Sequence, residues 1–358
     1  MVIDFRRWAV VAHKDDTGFG RQAADMRAVL GLGGHIVVPS ERLADHPLDP
    51  GSDVPLRPDD PVEKVERALA GRQGIVFFER SNWHPALLRT ARRLGVRTVC
   101  VPNWEWFRPG ADEWADCDLF VCTSRFSETV VRRSGWRNTV RLPWTLDLAR
   151  FPARRIAGPA RRFVHNAGLV DLDDRKSTRD VIAAFMRVAH PGVRLLVRLQ
   201  KAEPLPAHDD RVEVRVGNLA EPAELWATGD CAIQPSKMEG QGFMVLEPWV
   251  SGLPVITLDY PPMNETVTDR RLLVAKRWFR RRAFPSAWVP HAHLRLPRIG
   301  DLAKKIAWCA SHDLAPVAAG NRAQAERDYA PERLREAWTR ALGALLPPDE
   351  PARPIPAT

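Results

Sequence analysis

Glu239-Gly240-Gln241-Gly242-Phe243-Met244-Val245-Leu246-Glu247 sets two carboxylates eight positions apart, with two glycines close behind the first. Pro235-Ser236 precedes the stretch as a turn signal, and an apolar run at helical spacing leads on to Gly252-Leu253-Pro254. The pattern reads as strand end, glycine loop and helix start. The first backbone N–H groups of a helix have no partner within it and attract anionic oxygens, and glycines let a ligand approach the backbone closely. Glu239 lies in the loop, whereas Glu247 stands about one turn into the helix and can face the same ligand. Amides for phosphate oxygens and carboxylates for hydroxyls suit a sugar nucleotide. Taken alone, the pair is better explained as an ordinary loop–helix junction with two solvated acids.

Outward from this stretch, short apolar runs alternate with helical segments. Trp8–Ala12 reads as a strand, the glycine loop Asp16-Thr17-Gly18-Phe19-Gly20-Arg21 follows, and a helix is expected over Arg21–Leu30. Further strands are expected at His35–Pro39, Gly74–Phe78, Val96–Val101, Asp118–Cys122 and Arg141–Trp144, with Asp45–Pro61 as a surface loop. After an aperiodic stretch around Pro152, Gly158 and Pro159 the pattern restarts, with strands at Arg162–Asn166, Val193–Leu199, Val212–Val216, Cys231–Gln234 and Pro254–Leu258 and a helix over Thr178–Ala189. Such alternation predicts parallel sheets covered by helices on both faces. Two doubly wound, Rossmann-like halves facing a central cleft are expected, with ligands outside the carboxyl ends of the strands. The halves are placed at residues 1–147 and 148–330, with a helix over 331–346 packing back on the first and a disordered proline-rich tail over 347–358.

Length and composition agree with this division. A chain of 358 residues exceeds one ordinary core, and 45% apolar residues are those of a globular protein. No apolar run is long enough to span a bilayer, and the N-terminus passes into a first strand instead of a signal peptide. Five scattered cysteines, none at metal-ligand spacing, point to buried thiols in a reducing cytoplasm. A net charge of +9 favours an anionic partner, although arginine excess also follows from genomic base composition.

The opening stretch, continued through Ser251-Gly252-Leu253-Pro254-Val255-Ile256, resembles the E-x7-E signature of retaining, family-4-like glycosyltransferases of the GT-B fold. Leu142-Pro143-Trp144-Thr145-Leu146-Asp147 is similar to that family's interdomain junction, and Gly217-Asn218-Leu219 with Glu224-Leu225 to another of its elements. The resemblance implies an enzyme moving a hexose from a nucleotide-diphosphate sugar to an acceptor hydroxyl, with no metal or other cofactor. Glu247 would bind the ribose, Glu239 the transferred sugar, and the backbone amides of Gly242, Phe243 and Met244 the distal phosphate. Arg175 and Lys176 replace the family's usual Arg and Lys as partners of the diphosphate, a fork donor beside a point charge. The loop at Gly18 and Gly20 would lie over the donor, and backbone near Gln200 and Asn218 would select the base. Asp171-Leu172-Asp173 matches a metal-binding pattern of a different fold and is read as coincidence.

Acceptor candidates depart from the family pattern. They are His84, after Asn82-Trp83, and Asn103 and Glu105, with the tryptophans around them as a stacking platform or as core. An insertion of about twenty residues carries Lys276-Arg277-Trp278-Phe279-Arg280-Arg281-Arg282, then Trp288, His291 and His293. Trp278 and Arg280 are further acceptor candidates there, although a solvated arginine-rich hairpin describes the segment too. Basic residues interleaved with aromatics suit an anionic polymer, including DNA. Domain closure would exclude water from the reaction. Two other functions fit: a GT-B sugar-nucleotide epimerase or phosphorylase, and a nucleic-acid-binding module using residues 276–288.

Overall fold

A computed structural model describes residues 3–40, 44–79, 83–107, 112–168, 174–219, 221–283 and 293–346. The chain divides into two compact units, Met1–Asp147 with Asp328–Thr358, and Leu148–Arg327. Among the described residues no helix is long and apolar enough to cross a membrane.

The first unit runs β1 (Trp8–Ala12), α1 (Gly18–Leu30), β2 (Gly34–Val37), β3 (Asp53–Pro55), α2 (Val62–Leu69) and β4 (Gly74–Phe78). It continues with α3 (Leu87–Arg93), β5 (Arg97–Val101), β6 (Leu119–Cys122), α4 (Arg125–Arg133) and β7 (Thr139–Arg141). These strands form one parallel sheet in the order β3-β2-β1-β4-β5-β6-β7. Every residue of β1 and β4 is buried, as expected of central strands covered on both faces.

The second unit opens with β8 (Arg162–Gly168), α5 (Thr178–Phe185), β9 (Arg194–Leu199), β10 (Val212–Val216), α6 (Pro222–Ala227) and β11 (Cys231–Gln234). Then come α7 (Phe243–Val250), β12 (Val255–Leu258), α8 (Met263–Thr266), β13 (Leu273–Val274), β14 (Lys276–Ala283) and β15 (His293–Pro297). The helices α9 (Ile299–Ser311) and α10 (Ala315–Asp328) follow. The sheet is again parallel, ordered β10-β9-β8-β11-β12-β13, while β14 and β15 pair as a separate antiparallel hairpin. In both sheets the winding reverses once, between β1 and β4 and between β8 and β11. Strand ends at such a reversal diverge and leave a crevice where doubly wound sheets bind ligands.

The last helix, α11 (Pro331–Gly343), belongs to the first unit. Its buried face carries Leu334, Trp338 and Leu342. The Trp338 indole N–H donates to Thr145 Oγ1 at 2.8 Å, and Arg335 donates to the Val29 carbonyl.

Three elements differ from the sequence expectation. The loop expected over Asp45–Pro61 contains β3, whose single apolar residue in the strand centre, Val54, carries little periodic signal. Its position is held by Asp53, which accepts from Lys14 at 2.6 Å and Arg27 at 3.5 Å. The strand expected at Arg141–Trp144 lies earlier, at Thr139–Arg141, and α5 stops at Phe185 instead of continuing to Ala189. All five cysteines are buried free thiols.

Gly20 has a packing reason to be glycine. A Cβ there would stand 2.2 Å from the Asp15 carbonyl oxygen and 2.6 Å from Asp15 Oδ1. Gly20→Ala is expected to destabilise the protein by about 1–3 kcal/mol through overpacking, read as a lower urea midpoint at unchanged slope.

Candidate active site

In the second unit the loops after β8 and β11 meet at the winding reversal. Asp174 and Ser177 hold φ angles of 53° and 62°, a left-handed conformation that costs a non-glycine residue roughly 1–2 kcal/mol. The strain is held by Asp174, whose Oδ1 accepts from the Thr178 N–H at 2.7 Å and whose Oδ2 accepts from the Arg179 N–H at 3.2 Å. These bonds satisfy the free start of α5 as an N-cap does. Lys237 Nζ also reaches Asp174 Oδ2, at 3.3 Å.

Between the two strained residues stand Arg175 and Lys176. Arg175 Nη1 donates to Glu239 Oε2 at 2.9 Å and to the Met238 carbonyl at 2.9 Å, while Lys176 Nζ donates to Glu239 Oε1 at 2.5 Å. Glu239 is buried, and burial alone would raise its pKa. The Arg175 and Lys176 charges overcome that penalty and hold the carboxyl down at about 2. The structure thus brings together Glu239, Arg175 and Lys176, and it joins them directly, whereas the sequence reading assigned the basic pair to the diphosphate and Glu239 to the transferred sugar.

Gly242 follows with a φ of +81° at the N-cap of α7. A Cβ at Gly242 would find open space, with its nearest neighbours at 3.8 and 3.9 Å, so the backbone angle and not crowding demands glycine. Phe243 and Met244 form the first turn of α7, and the Met244 sulfur accepts from Asn166 Nδ2 at 2.9 Å. Glu247, one turn on, is buried against α6 and accepts from the Trp226 indole N–H at 3.1 Å. Gln200 Nε2 donates to Asn218 Oδ1 at 3.2 Å, and the Gln200 N–H donates to the Gly168 carbonyl at 2.9 Å. This pair therefore sits at the carboxyl ends of β9 and β10, beside that of β8.

Two contributors were not among the expected site residues. His165 on β8 is buried; its Nδ1–H donates to the Ile233 carbonyl at 2.7 Å and its Nε2 accepts from Thr178 Oγ1 at 2.9 Å. Burial lowers its pKa to about 4, so the ring stays neutral and ties β8 to β11 and α5. A histidine inside an apolar strand was the available signal. The second contributor is Arg295 of the inserted hairpin. The Arg295 N–H of β15 donates to the Lys237 carbonyl at 2.8 Å, and the Lys237 N–H donates to the Arg175 carbonyl at 2.8 Å. Three loops are thereby stitched through one residue. Arg277 faces inward, donating to the Pro297 carbonyl at 3.0 Å and lying 3.7 Å from Asp180. Trp278 is 87% exposed. The side chain of Arg280, together with Trp288, His291 and the Asp171-Leu172-Asp173 triplet, lies outside the described residues.

In the first unit His84 is buried, with Nε2 bonded to the Asp60 carbonyl at 2.9 Å and Nδ1 accepting from the Ala86 N–H at 3.1 Å. Both nitrogens are engaged by backbone, which favours a structural role over the acceptor role. Asn103 and Glu105 are buried at the carboxyl end of β5. Asn103 Nδ2 donates at 2.7 Å to Glu79, a residue the sequence reading passed over. Glu79 follows β4 with a φ of 64°, and strained non-glycine residues cluster at functional sites. Asn82 lies outside the described residues. Trp83, Phe19 and His13 pack ring to ring at 4.9–5.3 Å, so at least this part of the aromatic cluster is core. Gly18 begins α1, capped by Thr17, whose hydroxyl accepts from the Gly20 N–H at 3.2 Å.

Residues 164–283 match the family model described as Glycosyl transferases group 1. The fold is shared with a glycosyltransferase from Rickettsia africae at 10% identity and a TM-score of 0.63, covering 96% of this chain and 99% of that one. A sucrose-phosphate synthase from Thermosynechococcus elongatus matches at 15% identity and a TM-score of 0.63, covering 94% and 98%. A UDP-GlcNAc 2-epimerase from Neisseria meningitidis matches at 10% identity and a TM-score of 0.54, covering 94% and 99%. No curated protein matches the chain significantly by sequence. The fold is that of the GT-B structures, two parallel-sheet Rossmann-like domains, and the match to the group 1 glycosyltransferase model falls in the second of them, around the Glu239 site.

The site also has an acid signature. The folded-state pKa values of His165 and His35, each about 4, lie below the ordinary value of 6.5 because burial disfavours the charged ring. Below that ordinary value the unfolded chain takes up more protons, so their contribution is present above pH 6.5 and falls away towards pH 4. Glu239 acts in a lower window: its contribution is present above 4.5 and is lost as pH falls through about 2. Urea unfolding across pH 7 to 2 is expected to show stability falling through both windows. Glu239→Gln should lessen the fall in the lower window, where Asp53 and Asp269 also titrate, and leave the upper window unchanged.

Proposed function

We propose that the protein is a glycosyltransferase that moves a sugar from a nucleotide-diphosphate sugar to an acceptor hydroxyl with retention at the anomeric carbon. The observation that supports it most is the meeting of Arg175 and Lys176 with the Glu239–Glu247 loop at the winding reversal of the second sheet. Cations, a helix start and two buried carboxylates stand where a doubly wound sheet takes its ligand. Arg175 and Lys176 stabilise the charge that develops on the leaving diphosphate, with the α7 N-terminus assisting through its backbone amides. Glu247, fixed by Trp226, holds the ribose hydroxyls, and Glu239 serves the transferred sugar. The cations carry the charge stabilisation assigned elsewhere to metal ions. The leaving phosphate helps deprotonate the acceptor on the same face, which accounts for retention without a protein nucleophile.

A sugar-nucleotide epimerase shares the fold, but the group 1 glycosyltransferase match falls on the candidate site itself. A nucleic-acid function of the hairpin is disfavoured, since Arg277 and Lys276 both bond back to the protein.

Thermal shift against UDP, GDP, ADP and TDP should give stabilisation by the matching base, about 2.7 kcal/mol at a hundredfold excess over Kd. Glu247→Ala, Arg175→Ala and Lys176→Ala should each lower donor consumption by on the order of 10²-fold. Unchanged turnover in all three would overturn the assignment.

A further inference from the structure

The contact between Glu239 and the basic pair is unusual for a site meant to hold a diphosphate. Both cations that would receive phosphate already hold a carboxylate of their own chain, at 2.9 and 2.5 Å. Lys237 and Asp174 pair alongside at 3.3 Å. All five side chains are a quarter exposed or less. The Ser177 hydroxyl, in the same loop, is buried with no hydrogen-bond partner among the described residues. Backbone angles in the left-handed region at Asp174 and Ser177 keep both cations directed at this point.

We propose that Glu239 is an internal anion occupying the phosphate position, and that donor binding exchanges it: Arg175 and Lys176 pass from the carboxylate to the diphosphate, and Glu239 is released to the sugar. This rests on the donor reading above. A carboxylate carries one charge, whereas a diphosphate carries more charge and more acceptor oxygens, so exchange is downhill once the ligand is present. Until then the buried cations are never left unpaired, which would be costly. The exchange also orders the steps. Glu239 cannot serve the sugar while it holds both cations, so its carboxylate becomes available only when a diphosphate has arrived. The contact is thus autoinhibitory towards bare anions and enabling towards a complete donor.

The sign of one measurement separates this from a plain sugar-binding role. Equilibrium binding of inorganic pyrophosphate is measured for the wild type, Glu239→Gln, Glu239→Asp and Glu239→Gln/Lys176→Met. Removing the internal competitor should tighten pyrophosphate binding in Glu239→Gln by on the order of tenfold. Glu239→Asp keeps the charge but is one methylene too short to hold both cations, so it should also bind more tightly, by a smaller factor. Adding Lys176→Met should cancel the gain, as coupled neighbours require. Equal or weaker binding in Glu239→Gln overturns the proposal, and tightening in Gln but not Asp reduces it to long-range charge repulsion, overturning the exchange. A structure of the wild type soaked with pyrophosphate, in which Arg175 and Lys176 still hold Glu239, overturns it without any variant. Should no nucleoside diphosphate stabilise the wild type while Glu239→Gln still gains pyrophosphate affinity, the donor reading fails and the internal anion stands.

Discussion

Glu239 lies clamped between Arg175 and Lys176, and the order of the second unit's ligand face depends on that clamp. It joins the loop after β8 to the loop after β11 at the one place where the sheet reverses its winding. A buried carboxylate is tolerable only with such partners, and buried cations are tolerable only with such a carboxylate. Neither loop could keep its geometry if the other moved away. The strained residues Asp174 and Ser177, the cap on α5 and the Lys237 bridge are all arranged around this mutual requirement.

A supporting layer explains why the clamp is held in register. His165 bonds to the Ile233 carbonyl and the Thr178 hydroxyl, connecting two strands and a helix behind the site. In front, the inserted hairpin donates from Arg295 to the Lys237 carbonyl, and Lys237 passes the connection to Arg175. The hairpin's basic residues look in sequence like a surface for a polyanion, yet Arg277 and Lys276 are spent on internal bonds. Arginine spacing alone does not distinguish a scaffold from a docking face, because a guanidinium serves carbonyls and phosphates equally well.

Much of the fold was legible before any coordinates. Buried parallel strands have to be apolar on both faces, so β1, β4 and β11 stand out as runs such as Trp8–Ala12 and Gly74–Phe78. Strand β3 was not legible, because ion pairs from Lys14 and Arg27 hold Asp53 in place and no local period records that. The Glu239–Glu247 stretch announced a glycine-bearing loop before a helix, and Gly242 does adopt the left-handed cap. Glu79 escaped notice because a carboxylate after a strand has no signature, whereas its positive φ is visible only in three dimensions.

The amino-acid order by itself determined the doubly wound architecture and the glycine loop, since these follow from hydrophobic periodicity and the special backbone needs of glycine. Tertiary structure alone decided which charges meet. Arg175 and Lys176 reach Glu239 across more than sixty residues, at separations of 64 and 63. Electrostatic pairing depends on distance through the fold and on shared burial, and neither is encoded in local spacing. For the same reason the pairing of Glu239 with two cations became visible only in the contacts of the folded site.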